Sequence, residues 1–457
     1  MMQNFDKKRS RLFAFPARTI MISFVLVILV GSVLLMLPFS SKSREFTGFL
    51  DALFTATSAT CVTGLIVFDT FTHWSYFGQV VILSLIQVGG LGLVTLTSFI
   101  SMAIGRKMGL RSMQLAQESV NSSGLETAGN MVRMVVKTSM AFELLGALLL
   151  CITFVPQYGL EGVWISVFLS VSAFCNAGFD ILGRQTPYIS LCNYNGNLMV
   201  TGVIMALIIA GGLGFYVWQE LFAYFRTKKL SLHTRVVLIV TGILIGAGFL
   251  VFAVFEWNNP ATMGGLSWYE KFTGALFQSV TLRTAGFNSV PTDSFRPITE
   301  ILSGLIMLVG AAPGSTAGGI KVTTLAVLMM TIVSVARGRD DTIILKRRIN
   351  KETVYKSLTI ILIAIMAVAT AAGVMVGTMG ESHSITGSQS FFEACSAFAT
   401  VGISCGVTGM ANIPSKIVLI LLMFLGRVGP VSFVLSFAAK PASNKKEVIP
   451  EGRIMVG

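Results

Sequence analysis

Ser58-Ala-Thr-Cys-Val-Thr-Gly64-Leu65 closes an apolar stretch with a run of small residues, and the chain carries three more segments of the same kind. They are Ser172-Ala-Phe-Cys-Asn-Ala-Gly178-Phe179, Val280-Thr-Leu-Arg-Thr-Ala-Gly286-Phe287 and Ser396-Ala-Phe-Ala-Thr-Val-Gly402-Ile403. Successive glycines lie 114, 108 and 116 residues apart, so one unit is written four times. Four units can surround an axis. Glycine-terminated loops around an axis are a way to turn backbone carbonyls onto a dehydrated cation.

The surroundings of these segments are those of a membrane protein. The 457 residues are 53% hydrophobic and 12% charged, with a mean hydropathy of +0.76, too apolar for a water-soluble core of this size. Runs long enough to cross a hydrocarbon layer, about 20 residues as helix, occur at 18–38, 76–104, 134–155, 198–225, 236–255, 298–335, 354–379 and 417–438. The glycine-bearing segments 49–65, 163–179, 269–287 and 390–403 are apolar but short, which suits half-helices that enter the membrane and return. The predicted fold class is therefore all-α: four parallel repeats of span, re-entrant pore helix and span around a pseudo-fourfold pore, with eight transmembrane helices.

The net charge of +13 follows that topology. With the first span starting in the cytoplasm, 25 of the 34 basic residues fall on the inner side, in the N-terminus (Lys7, Lys8, Arg9, Arg11, Arg18), three loops and the tail. The largest inner cluster is Arg337, Arg339, Lys346, Arg347, Arg348, Lys351 and Lys356. This bias places both termini in the cytoplasm of a multi-pass cell-membrane protein. It also removes the reason to invoke nucleic acid, which would need a basic surface with groove or stacking chemistry beside it. The first apolar run continues to Pro38 without a small-residue cleavage site, so it reads as a span and not a signal peptide. The six cysteines form no C-x-x-C pair and the three histidines are scattered, so neither a metal site nor a catalytic constellation is written in the chain.

The candidate filter strands are Thr60, Cys61, Val62, Thr63 and Gly64; Cys175, Asn176, Ala177 and Gly178; Arg283, Thr284, Ala285 and Gly286; and Ala399, Thr400, Val401 and Gly402. Each follows a half-helix whose C-terminal, partially negative end points at the pore centre and favours a cation there. A single such segment would read as close helix packing; four in register read as a pore. Asp69 and Asp180 follow their glycines closely and are expected to concentrate cations at the outer mouth. Arg283 is out of place in such a strand and is expected to pair with a carboxylate such as Glu270 or Asp293.

The second span of each repeat passes through a glycine-rich centre: Gly89-Gly90-Leu91-Gly92, Gly211-Gly212-Leu213-Gly214 and Leu425-Gly426-Arg427-Val428-Gly429-Pro430. In the third repeat the centre expands to Gly310-Ala311-Ala312-Pro313-Gly314-Ser315-Thr316-Ala317-Gly318-Gly319. Four glycines and a proline in ten residues cannot continue a helix, so this span is predicted to break. Irregular backbone at that depth must be buried or line water, which makes 310–319 the candidate gate beneath the filter. A phosphate-binding loop is excluded because Lys321 is flanked by Ile320 and Val322, not by glycine and Ser/Thr. Arg427, mid-span between glycines, is functional by default at that depth and is expected to hold the gate through carbonyl contacts or to raise a barrier to cations. Glu143 is a second buried charge, expected to have a structural partner.

These residues together resemble the Trk/Ktr/HKT superfamily of potassium transporters, most closely the bacterial Ktr membrane subunits, over nearly the whole chain. Eight spans fit without an extra N-terminal pair, and all four filter positions are glycine. The resemblance implies potassium uptake, often sodium-dependent, with K+ and Na+ as the only ions concerned and no organic cofactor. It further implies a homodimer with one pore per subunit and a cytosolic octameric ring of RCK-type nucleotide-binding subunits that acts on the intramembrane loop. The basic loops are docking surfaces for such a ring or contacts for membrane lipid headgroups. The expected organisation is a cytoplasmic N-terminus (1–17), repeats at 18–110, 111–229, 230–345 and 346–440, and a cytoplasmic tail (441–457). The competing reading, an alternating-access transporter of sodium or another solute, commonly uses inverted repeats; an even number of spans per repeat makes these four parallel. An intramembrane enzyme would need an acid–base or metal set that the chain lacks.

Overall fold

The first span begins the described part of the chain as α1 (Pro16–Met36). The computed structural model describes residues 16–104, 125–184, 186–383, 385–430 and 433; the basic residues expected at Lys7–Arg11 and Arg106–Arg111 and in the 441–457 tail lie outside them. In the first repeat α1 is followed by α2 (Phe49–Thr60), the short α3 (Thr70–His73), α4 (Tyr76–Leu91) and α5 (Leu93–Ala103). The second contains α6 (Leu125–Tyr158), α7 (Leu160–Cys175), α8 (Leu198–Gly212) and α9 (Phe215–Thr227). The third contains α10 (Leu232–Phe255), α11 (Trp268–Thr281), α12 (Pro297–Leu308) and α13 (Val322–Ala336). After a two-residue hairpin, β1 (Ile343–Ile344) against β2 (Arg347–Arg348), come α14 (Lys351–His383), α15 (Gly387–Ala399) and α16 (Ile413–Val428). The hairpin straddles the expected 345/346 boundary between repeats.

Side-chain caps set where several of these helices start. Ser75, Asn197, Ser231 and Asn412 accept hydrogen bonds from the first turns of α4, α8, α10 and α16. Ser267 with Glu270, and Thr386 with Gln389, form complete capping boxes at α11 and α15. Each cap satisfies amide N–H groups that a helix start leaves without partners.

Four described helices are long and apolar enough to cross a membrane: 18–36 of α1, 129–158 of α6, α10, and 351–380 of α14. They coincide with the first span expected of each repeat. The second spans differ from the expectation of single crossings broken only in the third repeat. Three are interrupted and the fourth, α16, ends at Gly429. Gly92, Gly214 and Gly429 take φ of 82°, 88° and 91° at the ends of α4, α8 and α16, a backbone that ends a right-handed helix and that glycine adopts without steric cost. The α8–α9 pair bends by 99°, and α12 and α13 are separated by the predicted loop. The physical reason lies one turn earlier. A Cβ on Gly89, Gly211 or Gly426 would collide with the carbonyl of Thr60, Phe174 or Phe398, at or near the C-terminus of a glycine-bearing half-helix. Glycine lets the two backbones touch there, and the chain then turns away.

The repeats close on themselves. The half-helix of each packs against the second span of the repeat before it: α7 against α4, α11 against α8, α15 against α12, and α2 against α16. The last of these contacts joins the end of the chain to its start. Lys416 on α16 and Asp51 on α2 form an ion pair across it at 2.6 Å.

Candidate functional site

The four glycine segments meet at the centre of this arrangement. Each has the same backbone: the residue two before the glycine is left-handed (Val62 φ 57°, Asn176 59°, Thr284 66°, Thr400 54°) and the glycine again has positive φ (Gly64 97°, Gly178 69°, Gly286 87°, Gly402 89°). Left-handed φ at Val, Thr and Thr is strained, of order 1–3 kcal/mol each, and the ring's neighbours hold it. Thr63 N, Ala177 N and Val401 N donate to the carbonyls of Ser58, Ser172 and Ser396 at 2.8, 2.7 and 2.8 Å. Gly64 N and Gly402 N donate to the Ser58 and Ser396 hydroxyls at 3.1 and 3.0 Å. In the third repeat Val280 replaces that serine, and the Thr281 hydroxyl donates instead to the Phe287 carbonyl at 2.8 Å. The serine was visible in three of the four quoted segments; its bracing role was not.

The glycines exclude anything larger because the next segment occupies the space. A Cβ on Gly64 would stand 2.5 Å from the Ala177 carbonyl oxygen, one on Gly178 2.7 Å from that of Ala285, and one on Gly286 2.6 Å from that of Val401. On Gly402 it would overlap the Thr63 carbonyl and lie 2.8 Å from Gly64 Cα. The order 64, 178, 286, 402 and back to 64 is a closed ring of glycines interleaved with carbonyls. The hydroxyls of Thr60, Thr63, Thr284 and Thr400 are buried beside it without a protein hydrogen-bond partner. All the residues of the four candidate strands are brought together here, and all are buried.

Arg283 is buried but makes no ion pair with Glu270 or Asp293. Glu270 is engaged by the Ser267 cap of α11, and Asp293 accepts from the Ser294 hydroxyl. The Arg283 Nε finds no acceptor among the described residues. Asp69 is likewise committed: one oxygen accepts from Thr72 N at 2.8 Å and the other from Tyr188 N at 2.9 Å, so it caps α3 and anchors a loop. Asp180 is bonded through Leu182 N at 3.1 Å. Glu143 has the expected structural partner, the Gln87 amide, which donates to both carboxylate oxygens at 3.1 Å.

The loop 310–319 lies directly against the ring. A Cβ on Gly310 would touch the Thr284 side chain at 3.2 Å, one on Gly318 the Thr400 side chain at 2.9 Å, and one on Gly319 the Ala399 backbone at 3.1 Å. A parallel bridge between Val309 and Ile320 ties its two ends, with Gly310 N donating to the Ile320 carbonyl at 2.8 Å. Ala312 N donates to the Gly212 carbonyl at 3.0 Å, Thr316 N to that of Gly211 at 3.3 Å, and Phe215 N to that of Gly314 at 2.9 Å. The Ser315 hydroxyl bonds the Ala312 carbonyl at 2.7 Å and the Thr316 hydroxyl that of Phe174 at 3.1 Å. Ala311, Ala312 and Ala317 are buried, and the Pro313 carbonyl oxygen would be 2.8 Å from a Cβ on Gly214.

Arg427 does make the carbonyl contacts its position suggested. Its guanidinium donates to the Thr316 carbonyl of the loop and to the Gly89 carbonyl, with Gly90 O at 3.3 Å. It therefore bridges the third repeat's loop to the first repeat's break. Lys321 is a residue the sequence reading missed: its Nζ donates to the Ala317 and Gly318 carbonyls at 2.7 and 3.4 Å. The signal was a lysine at the end of the glycine-rich run, weighed only against phosphate binding.

A family model described as "TrkH: Cation transport protein" matches residues 4–447. The chain is 39% identical to Ktr system potassium uptake protein B of Bacillus subtilis, over 97% of each chain. It is 38% identical to the potassium/sodium uptake protein NtpJ of Enterococcus hirae, over 99% of each. Its fold resembles the crystal structure of the potassium transporter TrkH from Vibrio parahaemolyticus, with a TM-score of 0.63 at 19% identity, covering 91% of this chain and 85% of the other. With a closed backbone ring, apolar spans and a match along nearly its whole length, the chain belongs to the TrkH family of cation transport proteins, membrane transporters and not enzymes.

Proposed function

We propose that the protein takes up potassium across the cell membrane through a pore of four pseudo-symmetric repeats. It has eight crossings, the second of each repeat broken, and four re-entrant half-helices. The strands ending at Gly64, Gly178, Gly286 and Gly402 are the selectivity filter, and K+ is the cargo. Ring carbonyls and the threonine hydroxyls of positions 60, 63, 284 and 400 take the place of its hydration water. The observation that carries this reading is the interleaving of each glycine with the next repeat's carbonyl. It puts many oxygen dipoles around one axis and leaves no room for a side chain on it.

The gate is the loop 310–319, held shut by Arg427 and Lys321 through loop carbonyls. Its hydrogen bonds to the second repeat and, through Arg427, to the first mean that opening must break several at once. Sodium supports the flux, both termini are cytoplasmic, two chains associate with one pore each, and an RCK-type cytosolic ring acts on the loop in trans. The names of the relatives, potassium uptake and potassium/sodium uptake proteins, support the choice of ion.

The test is uptake of radioactive rubidium by liposomes holding the purified protein. The expected result is uptake driven by an internal potassium load, competed by external potassium and raised by sodium. Uptake no greater than in protein-free liposomes contradicts the reading.

A further inference from the structure

Among the described residues, helix α9 differs from the other helices that follow a break. It leaves α8 at 99°, so if α8 runs along the membrane normal, α9 runs along the membrane plane. Its sequence, Phe215-Tyr-Val-Trp-Gln-Glu-Leu-Phe-Ala-Tyr-Phe-Arg-Thr227, is aromatic where the others are aliphatic. At helical spacing, Trp218, Leu221, Phe222 and Phe225 share one face. Phe222 is 54% exposed and Phe225 79% exposed, while Trp218 packs on Phe142 of α6 with ring centroids 4.8 Å apart and planes inclined at 51°. Leu145, three residues from Phe142 on the same side of α6, is 54% exposed, so the aromatic face of α9 borders an exposed apolar patch.

The opposite face is polar and pinned. Glu220 accepts from the Ser231 amide and hydroxyl at 3.0 and 2.9 Å, and Tyr216 meets His233 edge-on at 5.6 Å. At the free end Arg226, Lys228 and Lys229 are exposed and make no ion pair among the described residues. An apolar aromatic face with basic residues at its edge is the chemistry that seats a helix in an anionic leaflet. At the other end, α9 begins on the loop: Phe215 N donates to the Gly314 carbonyl at 2.9 Å. The Trp218 indole donates to the Ala210 carbonyl at 2.8 Å, so the bend itself is stiffened.

We propose that α9 is a lipid-sensing lever: its aromatic face and basic edge bind the inner, anionic surface of the bilayer, and its first residue transmits that docking to the 310–319 loop. The seat on the membrane stands on geometry alone, whereas the transmission rests on the loop being the gate. Anionic headgroups are the partner because the unpaired charges are all positive and border the apolar face.

The full chain is reconstituted in liposomes of phosphatidylcholine alone or with one-third phosphatidylglycerol. An environment-sensitive fluorophore is attached at Phe225→Cys, with the part-exposed Cys151 and Cys192 replaced by alanine. Emission typical of an apolar setting, insensitive to an aqueous quencher, is expected; water-like emission open to the quencher overturns the seat. Rubidium flux is expected to depend on the phosphatidylglycerol fraction, and R226Q/K228Q/K229Q to shift that dependence, each charge being worth about five-fold in surface binding. Flux independent of lipid charge in the unmodified chain overturns the lever. Arg427→Ala frees the loop, so its flux is expected to be high and indifferent to lipid. If that variant stays at the unmodified level and still follows lipid charge, the coupling through a gate fails, and the fluorophore result decides the seat separately.

Discussion

Ser58, Ser172 and Ser396 occupy the same place in three repeats, yet only two of their hydroxyls are used. Ser58 and Ser396 accept the amide of their ring glycine, whereas the Ser172 hydroxyl has no partner among the described residues. Removing an acceptor from a buried N–H costs roughly 1–3 kcal/mol, while removing an unpaired hydroxyl does not. Ser58→Ala is therefore expected to lower the thermal midpoint of the detergent-solubilised protein and Ser172→Ala to leave it near the unmodified value; equal shifts would remove the bracing role. Arg427 is the second test at this scale. Its guanidinium spans carbonyls of two repeats, a reach that a point-charge ammonium does not reproduce. Rubidium flux is expected to rise in both Arg427→Ala and Arg427→Lys, and full retention of the closed state in the lysine variant would argue that charge alone matters. Arg427 was legible in the sequence because a mid-span charge is expensive. Arg283 was legible as an anomaly only, since no spacing rule says which carboxylate a buried cation will meet or that it will meet none.

The broken second spans show where reading elements from sequence stopped. Residues 310–319 announced their break because a proline and four glycines exclude a helix. Gly89–Gly92 and Gly211–Gly214 did not, because glycine pairs inside apolar runs are also the mark of close helix packing. Both descriptions hold at once: the first glycine packs against a half-helix carbonyl and the last turns the chain. Contact across repeats decides it, and that is not local information. Gly211→Val is accordingly expected to destabilise the protein by about 1–3 kcal/mol or to prevent folding, as read by size-exclusion profile and thermal midpoint. Gly242→Ala on α10, where a Cβ meets nothing within 4 Å, is expected to be neutral or stabilising by up to ~1 kcal/mol through helix propensity. Similar losses in both would show that the glycines matter through backbone flexibility and not through contact.

Taken as a whole, the molecule is a ring whose last contact is its first. The fourfold recurrence of the glycine segment was readable from the spacing of Gly64, Gly178, Gly286 and Gly402; the cyclic order was not, because it depends on α16 returning to α2. The Lys416–Asp51 ion pair sits on that seam. Its side chains are 16% and 23% exposed, which places its worth near the upper end of partly exposed pairs, roughly 1 kcal/mol. Asp51→Asn is expected to lower the thermal midpoint modestly without changing ion preference, and a changed preference would mean that the seam, not the ring, sets selectivity.

The central claim is that four interleaved glycines and carbonyls select the cation. The most direct measurement is the ratio of radioactive rubidium to radioactive sodium flux in liposomes carrying Gly402→Ser, since a Cβ there overlaps the Thr63 carbonyl and displaces the oxygens around the axis. The account predicts that the ratio falls toward one while the protein remains folded by size exclusion. An unchanged preference for rubidium in the folded variant would contradict it.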